Sequence, residues 1–393
     1  MRILIVTPSF FPIVGGSETL IRALSAKLNK LGIQTDIMAF NMDRKWNPVL
    51  REKVEHDGSC KIFKVPAMNP FSFLHVSPLY HPLRLNVLPM PSFKKKFRDY
   101  DIIHFLGEAD LSVPILSWPV QKPKIMHCVG VAGLEKQFCR HPILRRMLTR
   151  VFRRLADLYI VFTSEEREIL LGMGVKPGRV MMWSYGIDTE VFHLGDAKRT
   201  DNLVLFVGRI DNVKGLHVLL RSLRYLDVGT QVVIIGPVSK SSYFSEISRM
   251  CLEINRDGKH NVKYLGEMDQ HDLVPWYQKT AVFVRPDLVG ASGTGCSTLE
   301  AMACGAPVIG VQNHVVKHCI NGLIVPPDDP VKLADALHKM LGDRQLREDY
   351  GREGRRTIEQ YYSWNAALPK LIKAYDILLR NSRPNTSSIN KNT

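Results

Sequence analysis

What this 393-residue chain lacks narrows its class before any motif is considered. Cysteine is scarce: seven residues (60, 128, 139, 251, 296, 304, 319), an odd number with no C-x-x-C pair and no zinc-finger spacing. That pattern suggests neither a disulfide framework nor a structural metal site, and it suits a reducing compartment. No apolar run approaches the ~20 residues of a membrane span, so membrane association is expected only at a surface. The opening Met1-Arg2-Ile3-Leu4-Ile5-Val6 starts like a secretion signal, but Pro8 and Pro12 break the run and a Gly-Gly turn follows, so it reads as a first strand. Helix-turn-helix, zinc-finger and RNP-like signatures are missing, which argues against nucleic acid as the partner. The rest is ordinary: 45% hydrophobic, 23% charged, 27 Gly and 23 Pro exclude a disordered, collagen-like or coiled-coil chain.

One quantity stands out, a formal charge of +15. Residues 1–190 hold 27 Lys and Arg against 17 Asp and Glu, whereas residues 191–393 hold 26 against 21, so the excess sits mainly in the first half. A basic half calls for an acidic partner, such as an anionic membrane surface or a phosphorylated ligand.

Short apolar runs alternate with helical patterns throughout. Arg2–Thr7 reads as a buried strand, followed by a loop and a helix capped at Ser17, with Leu20, Ile21, Leu24 and Leu28 on one face and a stop at Gly32. Further strands are expected at Asp36–Phe40, Asp101–Phe105, Lys124–His127, Leu158–Thr163 and Val180–Trp183. A turn-rich segment from Tyr185 to Asn202 reads as an interdomain linker. The alternation then restarts at Leu203–Val207 and continues through Gln231–Ile235, Val262–Leu265, Ala281–Val284, Pro307–Ile309 and Leu323–Val325, with helices between and three helical stretches after Pro330. The fold class is therefore α/β, with two doubly wound parallel domains in tandem. The polar, aperiodic tail 383–393 is expected to be disordered.

In open α/β sheets, ligands bind beyond the carboxyl ends of the strands, and four such loops draw notice. Gly15-Gly16-Ser17-Glu18 places two glycines before a helix N-terminus, a setting that suits an anion and equally a plain tight turn. Gly208-Arg209 through Lys214-Gly215 carries two cations that can converge on a diphosphate, or simply face solvent. Gly293-Thr294-Gly295-Cys296-Ser297 opens a short helix in which Glu300 lies one turn further on. That carboxylate can accept hydrogen bonds from vicinal hydroxyls, or can be a surface Glu favoured by the helix dipole. His127 ends the strand Lys124–His127, where a histidine serves either structure or function.

In order along the chain, these patterns resemble the family 4 glycosyltransferases: Gly15-Gly16-x-Glu18; Tyr185-Gly186-Ile187-Asp188 with Val191-Phe192; Gly208-Arg209 with Lys214-Gly215; Leu299-Glu300-Ala301-Met302-Ala303-Cys304-Gly305-x-Pro307-Val308-Ile309; and Asn321-Gly322 through Pro327. The resemblance covers about residues 1–375. It implies the GT-B fold, two Rossmann-like β/α/β domains facing a central cleft. The corresponding parts are an acceptor-side domain at 1–190, a nucleotide-sugar domain at 191–365, and a helix at 366–382 crossing back to the first domain.

The resemblance also implies a retaining hexosyltransferase that takes a nucleoside-diphosphate sugar as co-substrate, with no cofactor and no metal. Arg209 and Lys214 would neutralise the diphosphate leaving group and Glu300 would hold the ribose. The amides around Gly295, Cys296 and Ser297 would bind phosphate, and Gly16 would approach from the other domain. His127 would contact the donor sugar, and Gly236 and Leu265 would line the base pocket. One departure is visible: eight residues before Glu300, where the family has a second Glu, stands Ser292, which leaves Gly293 and Thr294 to cradle the sugar through their amides. No opposed carboxylate pair of the glycosidase kind is apparent, consistent with a mechanism in which the leaving phosphate helps to deprotonate the acceptor on the same face. Asp99-Tyr100-Asp101 mimics the Asp-x-Asp of metal-dependent glycosyltransferases, but it precedes a strand instead of ending one and is not read as a metal site.

The excess charge of the first half concentrates in Arg140–Leu155, where Arg145, Arg146, Arg150, Arg153 and Arg154 interleave with apolar residues at helical spacing. A basic amphipathic helix can lie on an anionic bilayer, or can be a domain helix with its apolar side in the core. With Lys94-Lys95-Lys96, and with Glu18 of the Gly-Gly loop assigned to the same role, it marks the expected acceptor or membrane side of a cytoplasmic enzyme that can lie peripherally on the inner face of a membrane, acting on a glycan or lipid-linked acceptor. Two other readings stay open: a catalytically silent sugar-nucleotide-binding protein, and a nucleotide-sugar epimerase on the same fold.

Overall fold

The computed structural model describes residues 1–8, 10–11, 16–42, 49–68, 88–89, 91–106, 120–128, 142–184, 186–196, 198–288, 295–311 and 314–382. The chain divides into two compact units, one comprising Met1–Ser184 and Pro369–Thr393, the other Tyr185–Leu368.

The first unit is built on an eight-stranded sheet. Its strands are β1 (Arg2–Thr7), β2 (Gln34–Phe40), β3 (Lys53–Asp57), β4 (Cys60–Val65), β7 (Ile102–Phe105), β8 (Lys124–His127), β9 (Leu158–Val161) and β10 (Val180–Met182). The short pair β5 (Ala67–Met68) and β6 (Leu88–Pro89) forms a separate ribbon. The large sheet runs β10-β9-β8-β7-β1-β2-β4-β3, parallel except for the antiparallel edge pair β3–β4. β1 is buried on both faces, as near-continuous apolar strands of parallel sheets are. The helix Gly16–Lys30 buries Leu20, Ile21, Leu24 and Leu28, and Gly32 follows it at φ +77°.

The second unit carries a fully parallel six-stranded sheet, β13-β12-β11-β14-β15-β16, formed by β11 (Thr200–Val207), β12 (Gln231–Ile235), β13 (Asn261–Tyr264), β14 (Thr280–Arg285), β15 (Val308–Gly310) and β16 (Gly322–Ile324). Alternate residues of β11 enter two cores: Val204 and Phe206 join one, Leu203, Leu205 and Val207 the other. Each such fully buried apolar side chain contributes about 1.5–3 kcal/mol, so this strand is specified from both faces. The strand order reverses between β11 and β14, the topological switch point at which this architecture opens its ligand crevice.

Three features go beyond the sequence reading. In the segment from Tyr185 to Asn202, read as an interdomain linker, Ile187 and Phe192 are buried in the second unit's core. The Ile187 amide donates to Tyr362 O and the Arg355 guanidinium donates to Phe192 O. The divide accordingly falls at 184/185 and 368/369, within the helix Trp364–Ser382. The hairpin β3–β4, turning through Gly58 at φ +59°, was not expected. Lastly, the basic helix Pro142–Leu155 sends Phe152 and Leu155 into the first unit's core, while Met147 is exposed. The tail 383–393 lies outside the described residues.

Candidate active site

In the second unit, the loop after β11 and the segment after β14 lock together. Val213 O accepts from the Leu288 amide at 3.0 Å, and Gly215 sits at φ +64° where a Cβ would meet Pro286 O at 1.9 Å. Only glycine fits that approach. The lock delivers Lys214, whose side chain is 20% exposed, to the buried carboxylate of Asp287: Lys214 Nζ lies 3.5 Å from Oδ1, while Arg285 Nε donates to Oδ2 at 2.8 Å. Burial lowers the Lys214 pKa, the neighbouring Arg285 lowers it further, and Asp287 acts in the opposite sense. Two cations thus share a single carboxylate, while Arg209 is exposed and close enough to lower the Lys214 pKa further through its charge. Sequence reasoning found Arg209 and Lys214 and passed over Arg285 and Asp287, which follow a strand end and could have been flagged on that ground.

Arg285 also reaches the N-terminus of the helix Cys296–Ala303. Its Nη1 donates to Ser297 Oγ at 3.4 Å, and a Cβ on Gly295, at φ +59°, would fall 1.6 Å from that nitrogen. The first-turn amides of this helix have no carbonyl four residues back to bond, so Cys296 and Ser297 present backbone donors beside a guanidinium. Burial pushes the Cys296 thiol up to about 12, so it stays protonated. Ser292, Gly293 and Thr294 lie outside the described residues.

Glu300 is not a surface residue. It is 5% exposed, accepting from Gln270 Nε2 at 3.1 Å and from the Tyr277 hydroxyl at 2.9 Å, one on each oxygen. Burial raises its pKa while those two hydrogen bonds hold it down. Gln270 and Tyr277 lie on the helix Gln270–Lys279 and were not anticipated. Gly236, at φ +144°, packs so closely on β11's end that a Cβ would sit 2.0 Å from Gly208 O, and its carbonyl accepts from Tyr264 OH at 2.9 Å. Leu265 donates its amide to Ile234 O at 3.0 Å. The ends of β11, β12 and β13 are therefore laced together beside the switch point.

In the first unit, His127 is 1% exposed and stacks against Phe162 and Trp183, with ring centroids 5.6 and 5.5 Å away. Its Nδ1 lies 3.3 Å from His104 Nε2, and His104 Nδ1 lies 2.8 Å from the Tyr375 hydroxyl. Burial drives both imidazoles well below the ordinary histidine pKa, His104 to about 3. Gly16 opens the helix on which Glu18 sits 6% exposed, so Glu18 does not present itself to a membrane. Arg146, Arg150, Arg153 and Arg154 face solvent, as does Met147; the side chain of Arg145 lies outside the described residues. Asp101 accepts from the Arg2 amide at 2.7 Å, and Tyr100 donates to Asp36 at 2.8 Å, which gives the Asp-Tyr-Asp triplet a role in joining strands. Among the described residues no helix is long and apolar enough to cross a membrane.

Known proteins with the same patterns bear on this site. Residues 190–357 match the model of the glycosyl transferases group 1, and residues 14–191 that of Glycosyltransferase Family 4. O-antigen chain mannosyltransferase C of Escherichia coli is 22% identical over 96% of this chain and 99% of its own length. A D-inositol 3-phosphate glycosyltransferase of Corynebacterium urealyticum is 27% identical over 92% and 90%. Among solved structures, sucrose-phosphate synthase from Thermosynechococcus elongatus superposes with a TM-score of 0.75 at 21% identity, covering 97% of this chain and all of that one. Anabaena HepE, crystallised with UDP, gives 0.73 at 16%, covering 96% of this chain and all of that one. The fold is GT-B. With the two family models tiling residues 14–357 and the cation cluster standing at the switch point of the second sheet, the chain belongs to the group 1, family 4 glycosyltransferases and is a glycosyltransferase enzyme.

Proposed function

We propose that this enzyme is a retaining hexosyltransferase that moves a sugar from a nucleoside-diphosphate donor to a glycan or lipid-linked acceptor without a divalent metal. The observation that carries the reading is the pairing of Lys214 and Arg285 with Asp287 at the switch point, with the charge of Arg209 acting on Lys214, beside the first-turn amides of the helix Cys296–Ala303. Three positive charges against one negative leave an excess suited to a diphosphate, and Asp287 keeps two of them oriented before the ligand arrives. As the bond from the sugar C1 to the diphosphate oxygen breaks, negative charge grows on that oxygen where these cations stand. The acceptor oxygen bonds to C1 on the same face, and its proton passes to the leaving phosphate. Glu300, fixed by Gln270 and Tyr277, keeps a further lone pair on each oxygen for the ribose hydroxyls. The mannosyltransferase relative and the HepE structure with UDP-glucose support a hexose as the donor sugar.

The solvent-facing Arg146, Arg150, Arg153 and Arg154 support an anionic surface as the place where the acceptor is met. A thermal-shift panel of UDP-, GDP- and ADP-sugars in the presence of EDTA tests the donor assignment, because a ligand that binds the native state alone raises the Tm. One donor class is expected to stabilise the protein and to be turned over on membrane extract in EDTA. Turnover abolished by EDTA and restored by a divalent ion would overturn metal independence. Binding with no turnover on any extract would favour the silent binding protein.

A further inference from the structure

Tyr375, His104 and His127 form an unbroken polar file through the interior of the first unit, contributed by the C-terminal helix, by β7 and by β8. All three are buried, at 0%, 0% and 1% exposure. Burial keeps both rings uncharged at neutral pH. A neutral imidazole has one N–H and one bare nitrogen, and the bond made by one nitrogen decides the state of the other.

The proton count can be followed along the file. Among the described residues, His104 Nδ1 is the one hydrogen-bond partner of the Tyr375 hydroxyl. Were that hydroxyl to accept, its own hydrogen would be buried with nothing to receive it, the costly arrangement. It therefore donates to Nδ1, which must be bare. His104 then carries its hydrogen on Nε2 and donates it across 3.3 Å to His127 Nδ1. His127 Nδ1 is bare in turn, and its hydrogen resides on Nε2. Phe162 and Trp183 stack against the His127 ring, with centroids 5.6 and 5.5 Å away, and their packing resists the flip that would exchange the nitrogens.

We propose that Tyr375 and His104 are positioning residues that lock His127 in its Nε2–H tautomer, so that the ring offers the donor sugar a hydrogen-bond donor and reads an oxygen lone pair. The functional half of this inference rests on His127 contacting the donor sugar. The structural half stands on the three side chains alone. The consequence for the reaction is that the helix Trp364–Ser382, which begins in the second unit and ends in the first, supplies the residue that sets the protonation pattern of a sugar contact.

Long-range 1H–15N correlation on full-length, 15N-histidine-labelled protein tests it, with His104→Gln and His127→Gln assigning the signals. The expected wild-type result is Nε2–H at both rings. A hydrogen on Nδ1 of His127, or a cationic ring at neutral pH, would overturn the proposal whether or not any variant folds. In Tyr375→Phe the lock is broken: His127 should show mixed tautomers, and kcat should fall about tenfold, the size of one neutral hydrogen bond. Affinity for the nucleoside diphosphate alone should stay unchanged, since it carries no sugar. An unaltered tautomer in that variant, or equal losses in kcat and diphosphate affinity, would count against the lock. His127→Ala separates the two halves: wild-type turnover there, with the Nε2–H signature intact in the parent, would sink the sugar contact and leave the tautomer assignment standing.

Discussion

At the ends of β11 and β14 the second unit sets two cations on one carboxylate with a third cation acting on one of them, whereas at the ends of β7 and β8 the first unit buries two imidazoles, stripped of charge, one of them stacked against aromatic rings. Both clusters occupy the same place in the same kind of sheet, at the C-terminal ends of parallel strands. The difference lies in water and partners. Lys214 keeps a fifth of its side chain in solvent and has Asp287 beside it, while His104 has no solvent and a phenol for company. Architecture supplies position, and burial decides what charge stands there.

The comparison breaks most sharply if the cations are removed. Arg209→Ala and Lys214→Ala should each lower turnover about 100- to 1000-fold, the loss typical of deleting one group that stabilises developing charge, while the melting temperature moves by only a few degrees. Asp287 retains Arg285 in the lysine variant, so no carboxylate is left buried alone. Near-normal rates from both variants would sink the leaving-group assignment.

The neutral histidines can be probed through stability. Their folded pKa values lie below the unfolded value of about 6.5. Above pH 6.5 neither state takes up a proton and the contribution is complete. As the pH falls below 6.5 the unfolded chain binds protons that the folded one refuses, so stability is lost, for His104 down to about pH 3. By pH 5 the loss should reach about 2 kcal/mol for His104, with a further loss in the same direction from His127. Urea midpoints from pH 7.5 to 5 would show it, and His104→Asn should flatten the slope; an identical slope in that variant would remove the buried neutral imidazole from the account.

The smallest effect concerns the basic helix. Replacing Arg146, Arg150, Arg153 and Arg154 by Gln should weaken partition to vesicles containing anionic lipid by about fivefold per residue, from roughly 1 kcal/mol each, and should erase the preference over neutral vesicles. Equal partition of parent and variant would show that these charges serve only the surface of the fold.

Much of this was legible in the sequence, for reasons tied to particular residues. The strand Arg2–Thr7 and the helix with Leu20, Ile21, Leu24 and Leu28 follow from periodicity, because burial on both faces or on one stripe leaves a pattern along the chain. The hairpin β3–β4 escaped because Lys53–Asp57 is a charged, half-exposed edge strand, unlike the apolar runs that mark parallel interiors, although Asp57-Gly58 signalled its turn. The arginine stripe of Pro142–Leu155 was visible, but whether Phe152 and Leu155 faced lipid or core was not, since both outcomes need the same spacing.

By itself, then, the sequence determined two α/β units, the motifs at their strand ends and the family to which they belong, since these are properties of local pattern and of residue order. Tertiary structure alone decided that Lys214 shares a buried Asp287 with Arg285, that Glu300 lies inside instead of on the surface, and that His104 meets a tyrosine 271 residues further on. Protonation and charge depend on solvent exclusion and on neighbours only a few ångströms away, and those distances exist only once the chain has closed on itself.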